Sequence, residues 1–365
     1  MAALPPPGRI GSASVRTEFL GIAPSGAYLH HAAQITAIHT TPAHIIVNER
    51  NPLSQQESGA TSSAVDAGNE PVADRLLGAA DIRAIAAAAG IRPTKKFGQN
   101  FVIDPGTVRR IVREAGIRPN DAVLEVGPGL GSLTLALLEA GAHVHAVEID
   151  PALASRLPDT VERFMPEATH RLTVIRQDAL TLSADDVPEL AAAPRFTLVA
   201  NLPYNVATPI VLTLLERFAP LDRILVMVQK EVADRLAARP GSKIYGAPSV
   251  KLAWYGSAQR VGTIGRHVFW PAPNVDSALV LFNRHHESAA DPTITVDTTA
   301  PAPERERVFA LIDAAFGQRR KTLHAALRHL VSDSAFTAAG IEPTRRGETL
   351  TIEEFSRLAA AQALA

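Results

Sequence analysis

From Asp81 onward the chain alternates short apolar strand-like runs with helical stretches, at lengths suited to a parallel sheet with helical crossovers. This rhythm constrains the fold more than any other feature, because parallel neighbours need long connections and each connecting helix must bury a stripe on a sheet face. A helix opens at Asp104-Pro105 and runs to about Gly116: the carboxylate caps free backbone N–H groups, and proline at the first helical position loses no hydrogen bond. There follow a strand at Ala122 to Val126, a helix from Ser132 to Gly141 and a strand at His143 to Ile149. Further strands are expected at Leu172 to Ile175, Phe196 to Ala200 and Ile224 to Val228. The expectation is an α/β fold with a doubly wound, mostly parallel sheet. Such sheets bind ligands beyond the carboxyl ends of their strands, so functional residues are sought there first.

After about Asn283 the pattern is purely helical, with stretches at Glu304 to Phe316, Lys321 to Leu330 and Ile352 to Ala361; Thr351 and Glu354 have capping-box spacing. The expected organisation is an N-terminal extension over residues 1–73, an α/β domain over 74–285 and a smaller all-helical domain over 300–365. The extension carries three consecutive prolines, Pro5 to Pro7, and a polar stretch from Asn51 to Pro71. That stretch buries too little apolar surface to offset the entropy of ordering, so disorder is expected; an over-long translation start is the alternative.

Composition narrows the function classes. With 46% hydrophobic and 20% charged residues, 365 residues suffice for more than one packed core. No apolar run reaches the ~18 residues of a membrane span, and the N-terminus lacks a secretory pattern, so a cytoplasmic protein is expected. Cysteine is absent, which excludes disulfides, thiolate metal sites and a cysteine nucleophile. No metal is expected, and the chain is expected to act as a monomer. A formal net charge of −1 argues against a whole-molecule grip on nucleic acid, so such binding must come from local clusters.

The first strand end reads Val123-Leu-Glu-Val-Gly-Pro-Gly-Leu-Gly131, a strand running into a turn with glycine at alternate positions. Gly127, Gly129 and Gly131 let the backbone approach a bound nucleoside and take dihedrals closed to other residues. Glu148, seventeen positions beyond Gly131, ends the next strand in Val147-Glu-Ile-Asp150, where one carboxylate suits two ribose hydroxyls. The third strand closes in Arg176-Gln-Asp178-Ala, where Asp178 is placed to accept from an adenine amine. A nicotinamide site would explain two of these features, but its loop is normally Gly-x-Gly-x-x-Gly and this one is Gly-x-Gly-x-Gly.

The fourth strand end, Val199-Ala-Asn201-Leu-Pro-Tyr204, points to a chemistry. The N6 amine of adenine is a poor nucleophile because its lone pair is delocalised into the ring. The Asn201 side-chain oxygen and the Leu202 carbonyl can each accept one N6–H, drawing the nitrogen toward tetrahedral geometry and aiming its lone pair at a sulfonium methyl. Pro203 fixes φ and helps hold the Leu202 carbonyl. Tyr204 offers a ring face for base stacking, worth about 1–3 kcal/mol per base. No strong general base is required, since methyl transfer gives an ammonium that loses its proton readily; the catalytic work is positioning.

With these residues in place, the chain resembles the ribosomal RNA adenine N6-dimethyltransferases, most closely the KsgA/RsmA type acting on small-subunit RNA. The likeness runs from about Ile82 to the C-terminus. It rests on Lys96-Phe-Gly-Gln-Asn-Phe101, Glu125-Val-Gly-Pro-Gly-Leu-Gly131, Asn201-Leu-Pro-Tyr-Asn205, Gln229-Lys-Glu-Val-Ala233, Phe269-Trp-Pro-Ala-Pro-Asn-Val-Asp-Ser277, Arg319-Arg-Lys-Thr-Leu323 and Arg346-Gly-Glu-Thr-Leu350. The resemblance implies a Rossmann-like class I methyltransferase domain, S-adenosyl-L-methionine as cofactor, and transfer of two methyl groups to each of two adjacent adenines in the 3′-terminal hairpin of 16S rRNA. The implied partner is the immature 30S subunit. It also implies that Gln99, Asn100 and Val102 wrap the cofactor from the N-terminal side, and that Gly127, Glu148, Asp178 and Asn201 contribute to the site. Relatives usually carry leucine where this chain has Val102; a backbone contact survives that change.

Phe269 has two readings: an aromatic closing on a flipped adenine from the face opposite Tyr204, or a core residue beside Trp270. Lys95, Lys96, Arg319, Arg320 and Lys321 are the candidate phosphate contacts, with Arg345 and Arg346 as additions. The target base must leave its stack, which suits a hairpin loop, and the turn Arg239-Pro-Gly-Ser-Lys243 has the composition of a mobile cover. Competing readings are a 23S rRNA methyltransferase of the macrolide-resistance type, a non-catalytic assembly or RNA-binding factor on the same fold, and a DNA adenine methyltransferase. The intact Asn201 to Tyr204 segment argues against the second.

Overall fold

The computed structural model describes residues 44–46 as backbone, then 75–91, 99–203, 206–285 and 302–363, with the side chains of residues 302 and 303 excepted. The expectations for Lys95, Lys96 and Tyr204, and for most of the N-terminal extension, lie outside the described residues. The strands are β1 (His44–Ile46), β2 (Phe101–Val102), β3 (Ala122–Val126), β4 (His143–Glu148), β5 (Leu172–Arg176), β6 (Phe196–Asn201), β7 (Leu221–Gln229), β8 (Gly256–Ile264), β9 (Phe269–Trp270) and β10 (Ser277–Arg284).

Eight of these form one sheet in the order β1-β5-β4-β3-β6-β7-β10-β8. The central pairs β5–β4, β4–β3, β3–β6 and β6–β7 are parallel, as the alternating pattern predicts. The strand order reverses between β3 and β6, and the crevice beyond that reversal is where sheets of this kind bind ligands. Within the N-terminal extension, His44–Ile46 pairs antiparallel with Ile175 and its neighbours on β5.

The period-two pleat sorts side chains onto two faces. On β3, Val123 enters one apolar cluster while Leu124 and Val126 enter the other; on β6, Phe196, Leu198 and Ala200 enter one and Val199 the opposite one. Both faces are covered, which is why these strands read as nearly continuous apolar runs. The helices form where their caps place them: Asp104 accepts the Thr107 N–H at 2.7 Å at the start of Pro105–Ala115, and Asp150 accepts that of Ala152 at 2.9 Å at the start of Pro151–Phe164.

Two antiparallel strands, β8 and β10, extend the sheet beyond β7; the apolar run Ala278 to Phe282 in β10 has strand length, whereas β8 has no periodic signal. β8 is an edge strand with only its two end residues buried, so it lacks the alternation that identifies a half-buried strand.

The C-terminal region is helical: Ala302–Gly317, Leu323–Leu327, Asp333–Ala339 and Ile352–Ala363. The single helix expected over Lys321 to Leu330 is shorter. Thr322 caps the short helix, and Ser332 starts a new one by accepting the Ala335 N–H at 3.3 Å. The Thr351–Glu354 capping box forms with both hydrogen bonds, at 2.9 and 3.3 Å. The first and last of these helices pack on the helix Ala247–Tyr255, and Val308, Ile312, Phe336 and Phe355 share one apolar cluster with Leu252, Trp254 and Tyr255. Phe309 meets Trp254 and Tyr255 edge-on, with centroids at 6.0 and 6.3 Å. Two sequence patterns therefore share a continuous core.

Candidate active site

Four strands end at one edge. Register aligns Val126 of β3 with Val147 of β4, and Glu148 of β4 with Arg176 of β5. On the other side of the reversal, Asn201 of β6 pairs with Met227 of β7, and the Leu202 N–H donates to the Met227 carbonyl at 3.1 Å. The parallel pairing thus brings Gly127, Glu148, Asp178 and Asn201 to neighbouring strand ends.

The turn after β3 needs its glycines. Gly127 and Gly129 have φ of 70° and 59°, the left-handed region that L side chains rarely occupy. A methyl group on Gly129 would also lie 3.0 Å from the Phe101 ring. Glu148 stiffens this turn: one carboxylate oxygen accepts the Gly129 N–H at 3.2 Å and the other the Asp150 N–H at 3.0 Å. Burial pushes the Glu148 carboxyl up to about 7, against the pull of these backbone donors. Behind it, Glu125 is fully enclosed, accepts the Thr134 hydroxyl at 2.7 Å, and is pushed up to about 8 by burial, with the Glu148 charge adding to the rise.

Asp178 uses one carboxylate oxygen for the Leu180 N–H at 2.9 Å, a local turn that fixes the side chain beside the end of β5. Ile149, which follows Glu148, is 42% exposed and offers an apolar wall at the same edge. It was not singled out from the sequence, although an apolar residue after an acidic strand end is a readable signal.

Asn201 is half-buried, and its side-chain nitrogen donates to the Asn100 carbonyl at 3.0 Å. Among the described residues nothing donates to its side-chain oxygen or to the carbonyl of the buried Leu202. Pro203 continues the segment, and its carbonyl accepts the Val206 N–H at 3.2 Å to close the turn. Two hydrogen-bond acceptors are therefore held on consecutive residues beside the glycine turn; a methyl group on Gly127 would lie 3.9 Å from the Asn201 carbonyl.

The N-terminal segment reaches this edge through a two-stranded ribbon, which the sequence did not reveal. β2 pairs antiparallel with β9, aligning Phe101 with Trp270 and Val102 with Phe269. Gln99 donates to Asp150 at 3.2 Å, and the Ser132 hydroxyl donates to the Val102 carbonyl at 2.7 Å. Strands of two residues carry no periodicity, so nothing local announces them.

Phe269 takes the core reading. It is 3% exposed and lies in the apolar cluster of Phe101, Val102, Val268 and Leu279, so neither ring face is open to a base; the adjacent Trp270 stacks on Phe101 at 6.3 Å. The basic residues divide. Arg319 pairs with Glu348 at 2.7 Å and donates to the Lys243 carbonyl at 2.5 Å, and Arg345 pairs with Glu354 at 2.6 Å. Arg320, Lys321 and Arg346 are exposed. The turn Arg239–Lys243, expected as a mobile cover, is instead fastened to the C-terminal region: Gly241 N–H donates to the Glu348 carbonyl at 2.8 Å, beside the Arg319 contact.

No group of three or more metal-ligating side chains occurs among the described residues, and no helix there is long and apolar enough to cross a membrane. A turn with glycine at alternate positions, a buried carboxylate gripping it, a second carboxylate and an apolar wall fit a nucleoside-bearing cofactor.

Comparison with known proteins agrees with this geometry. The chain is 71% identical over 293 residues to a Bifidobacterium longum subsp. infantis protein named Ribosomal RNA small subunit methyltransferase A, covering 80% of this chain and 95% of the relative. Among solved structures it is similar to a dimethyladenosine transferase from Plasmodium falciparum, with a TM-score of 0.56, 23% identity and coverage of 71% and 95% of the two chains, which shows the shared fold. It is also similar to the 23S rRNA methyltransferase ErmE, with a TM-score of 0.53, 26% identity and coverage of 72% and 100%. The family model described as ribosomal RNA adenine dimethylase matches residues 91–363. The chain belongs to that family, and it is an S-adenosyl-L-methionine-dependent ribosomal RNA adenine dimethyltransferase with a Rossmann-like α/β domain and a helical C-terminal region.

Proposed function

We propose that this protein converts two adjacent adenines in the 3′-terminal hairpin of 16S rRNA to N6,N6-dimethyladenine, on an immature small subunit in the cytoplasm. The observation that carries the reading is the pair of acceptors on Asn201 and Leu202 at the strand-order reversal, to which nothing donates among the described residues. The Asn201 side-chain oxygen and the Leu202 carbonyl each accept one N6–H. Together they localise the lone pair of an amine that is otherwise conjugated with its ring, and they fix its direction of attack. Pro203 restricts the backbone that carries the second carbonyl, and Tyr204 stacks on the base.

S-adenosyl-L-methionine, when bound, supplies an electrophilic methyl group on a sulfonium sulfur. Gly127 and Gly129 give the backbone close approach to it, Glu148 accepts its ribose hydroxyls, Asp178 accepts its adenine amine, and Asn100 and Val102 close over it with Asn201 alongside. Arg320, Lys321 and Lys95 neutralise phosphates of the RNA; Arg319, already paired with Glu348, acts by holding the C-terminal region in place.

The 71% identity to a protein named for the small subunit favours that target over the large subunit, to which the 26% identical ErmE structure is assigned. The test is methylation of undermethylated small subunits and of 23S rRNA side by side, followed by mapping of the modified nucleotides. Incorporation into two neighbouring adenines of the small-subunit RNA is expected. Incorporation only into 23S rRNA would overturn the assignment.

A further inference from the structure

We propose that the backbone carbonyl of Asn100 is a positioning group that sets which end of the Asn201 amide faces the target base, and thereby makes the site selective for an amine. This rests on the reading of Asn201 given above.

A side-chain amide has one accepting and one donating end of nearly equal size. Left without a partner it presents either, and the donating end would set N–H against N–H of an adenine amine. The contact at 3.0 Å removes that choice. A peptide carbonyl has no hydrogen to give, so the Asn201 atom facing it is the nitrogen, and the oxygen occupies the other branch. The Leu202 carbonyl is an acceptor by nature. The pair therefore receives two N–H groups and repels a base that carries a carbonyl at the equivalent position.

The Asn100 carbonyl can impose this because the chain is tied on both sides of it. Before it, Gln99 donates to Asp150 at 3.2 Å. After it, β2 pairs with β9, the Ile103 N–H donates to the Val268 carbonyl at 2.8 Å, and the Val102 carbonyl accepts the Ser132 hydroxyl at 2.7 Å. Phe101 packs between Trp270 and the Gly129 backbone. The ribbon thus transmits the position of the glycine turn to the amide of a residue 101 positions away.

The test uses the full chain, with undermethylated small subunits as substrate. Asn201→Ala checks the underlying reading: a loss of at least roughly 100-fold in kcat, with S-adenosylhomocysteine still bound, is expected. Full activity of that variant sinks both the reading and this proposal. Asn201→Asp checks the proposal alone. An ionised carboxylate sets an anionic oxygen against the Asn100 carbonyl, whereas the neutral acid donates its O–H to that carbonyl and leaves one oxygen for the amine. The kcat of Asn201→Asp relative to the native enzyme should therefore rise as pH falls, about tenfold per unit above the new carboxyl's pKa. A constant ratio between pH 5.5 and 8.5, or a folded variant inactive at every pH, overturns it while leaving the alanine result intact. A readout independent of turnover is neutron diffraction of the deuterated native protein with S-adenosylhomocysteine. Deuterium on the Asn201 atom nearest the Asn100 carbonyl is expected; an oxygen there, or a separation beyond about 3.5 Å, contradicts the proposal.

Discussion

The carboxylate of Glu148 accepts the backbone N–H of Gly129 at 3.2 Å, so the acidic strand end and the glycine turn form one hydrogen-bonded unit. Burial raises this carboxyl to about 7, against the pull of its backbone donors, so its charge changes within the physiological range.

The ionised carboxylate is the form that accepts two ribose hydroxyls. Affinity for S-adenosylhomocysteine should therefore be greatest above pH 7 and fall as pH drops, approaching tenfold per unit well below 7. Calorimetric titrations from pH 5.5 to 8.5 should show proton release on binding near neutrality. Glu148→Gln should bind more weakly and lose the pH dependence; an unchanged profile in that variant would move the titrating group elsewhere.

Glu125 makes a prediction about stability. Its folded-state pKa of about 8 lies above the ordinary 4.5, so the folded chain holds a proton that the unfolded chain releases. Stability is then highest below about pH 4.5 as far as this group is concerned, declines through the window, and is lowest above 8. Glu125→Gln keeps an acceptor for the Thr134 hydroxyl without the charge. In urea titrations it should be more stable than the native chain at pH 9, by an amount on the order of a few kcal/mol, and nearly equal to it at pH 5.

Gly129→Ala combines a disfavoured φ of 59° with a contact of 3.0 Å to Phe101. The expected cost is about 1–2 kcal/mol of stability from the backbone alone. Displacement of Phe101 should also loosen the β2–β9 ribbon and weaken S-adenosylhomocysteine binding at least ~10-fold. Thermal unfolding and calorimetry on the same preparation check both effects.

The parallel strands and the places where they end were readable because both follow local rules: apolar runs, capping carboxylates and glycine positions. Ala122–Val126 and Asp104 lie where the sequence puts them. What was not readable depends on contacts between distant segments. The ribbon joining Phe101 to Trp270 and the amide contact from Asn201 to Asn100 leave no periodic trace, and the burial of Phe269 follows from that ribbon. Arg319 looks the same in sequence as Arg320, yet Glu348 claims it across 29 residues.

That difference between neighbouring arginines is itself testable. Arg319→Ala removes the contacts to Glu348 and Lys243, and should lower stability by about 1 kcal/mol. The double variant Arg320→Ala with Lys321→Ala should leave stability within about 0.5 kcal/mol of native. It should raise the KM for small subunits and reduce the salt dependence of binding, with kcat unchanged. Filter binding at several salt concentrations separates the two outcomes.

The grip on the amine is measured most directly in a crystal structure of the protein with S-adenosylhomocysteine and a hairpin RNA carrying the target adenines. The account predicts the flipped adenine's N6 within about 3.2 Å of both the Asn201 side-chain oxygen and the Leu202 carbonyl, with the Asn201 nitrogen still on the Asn100 carbonyl. An adenine whose N6 is held by other groups, with those two oxygens turned away, would contradict it.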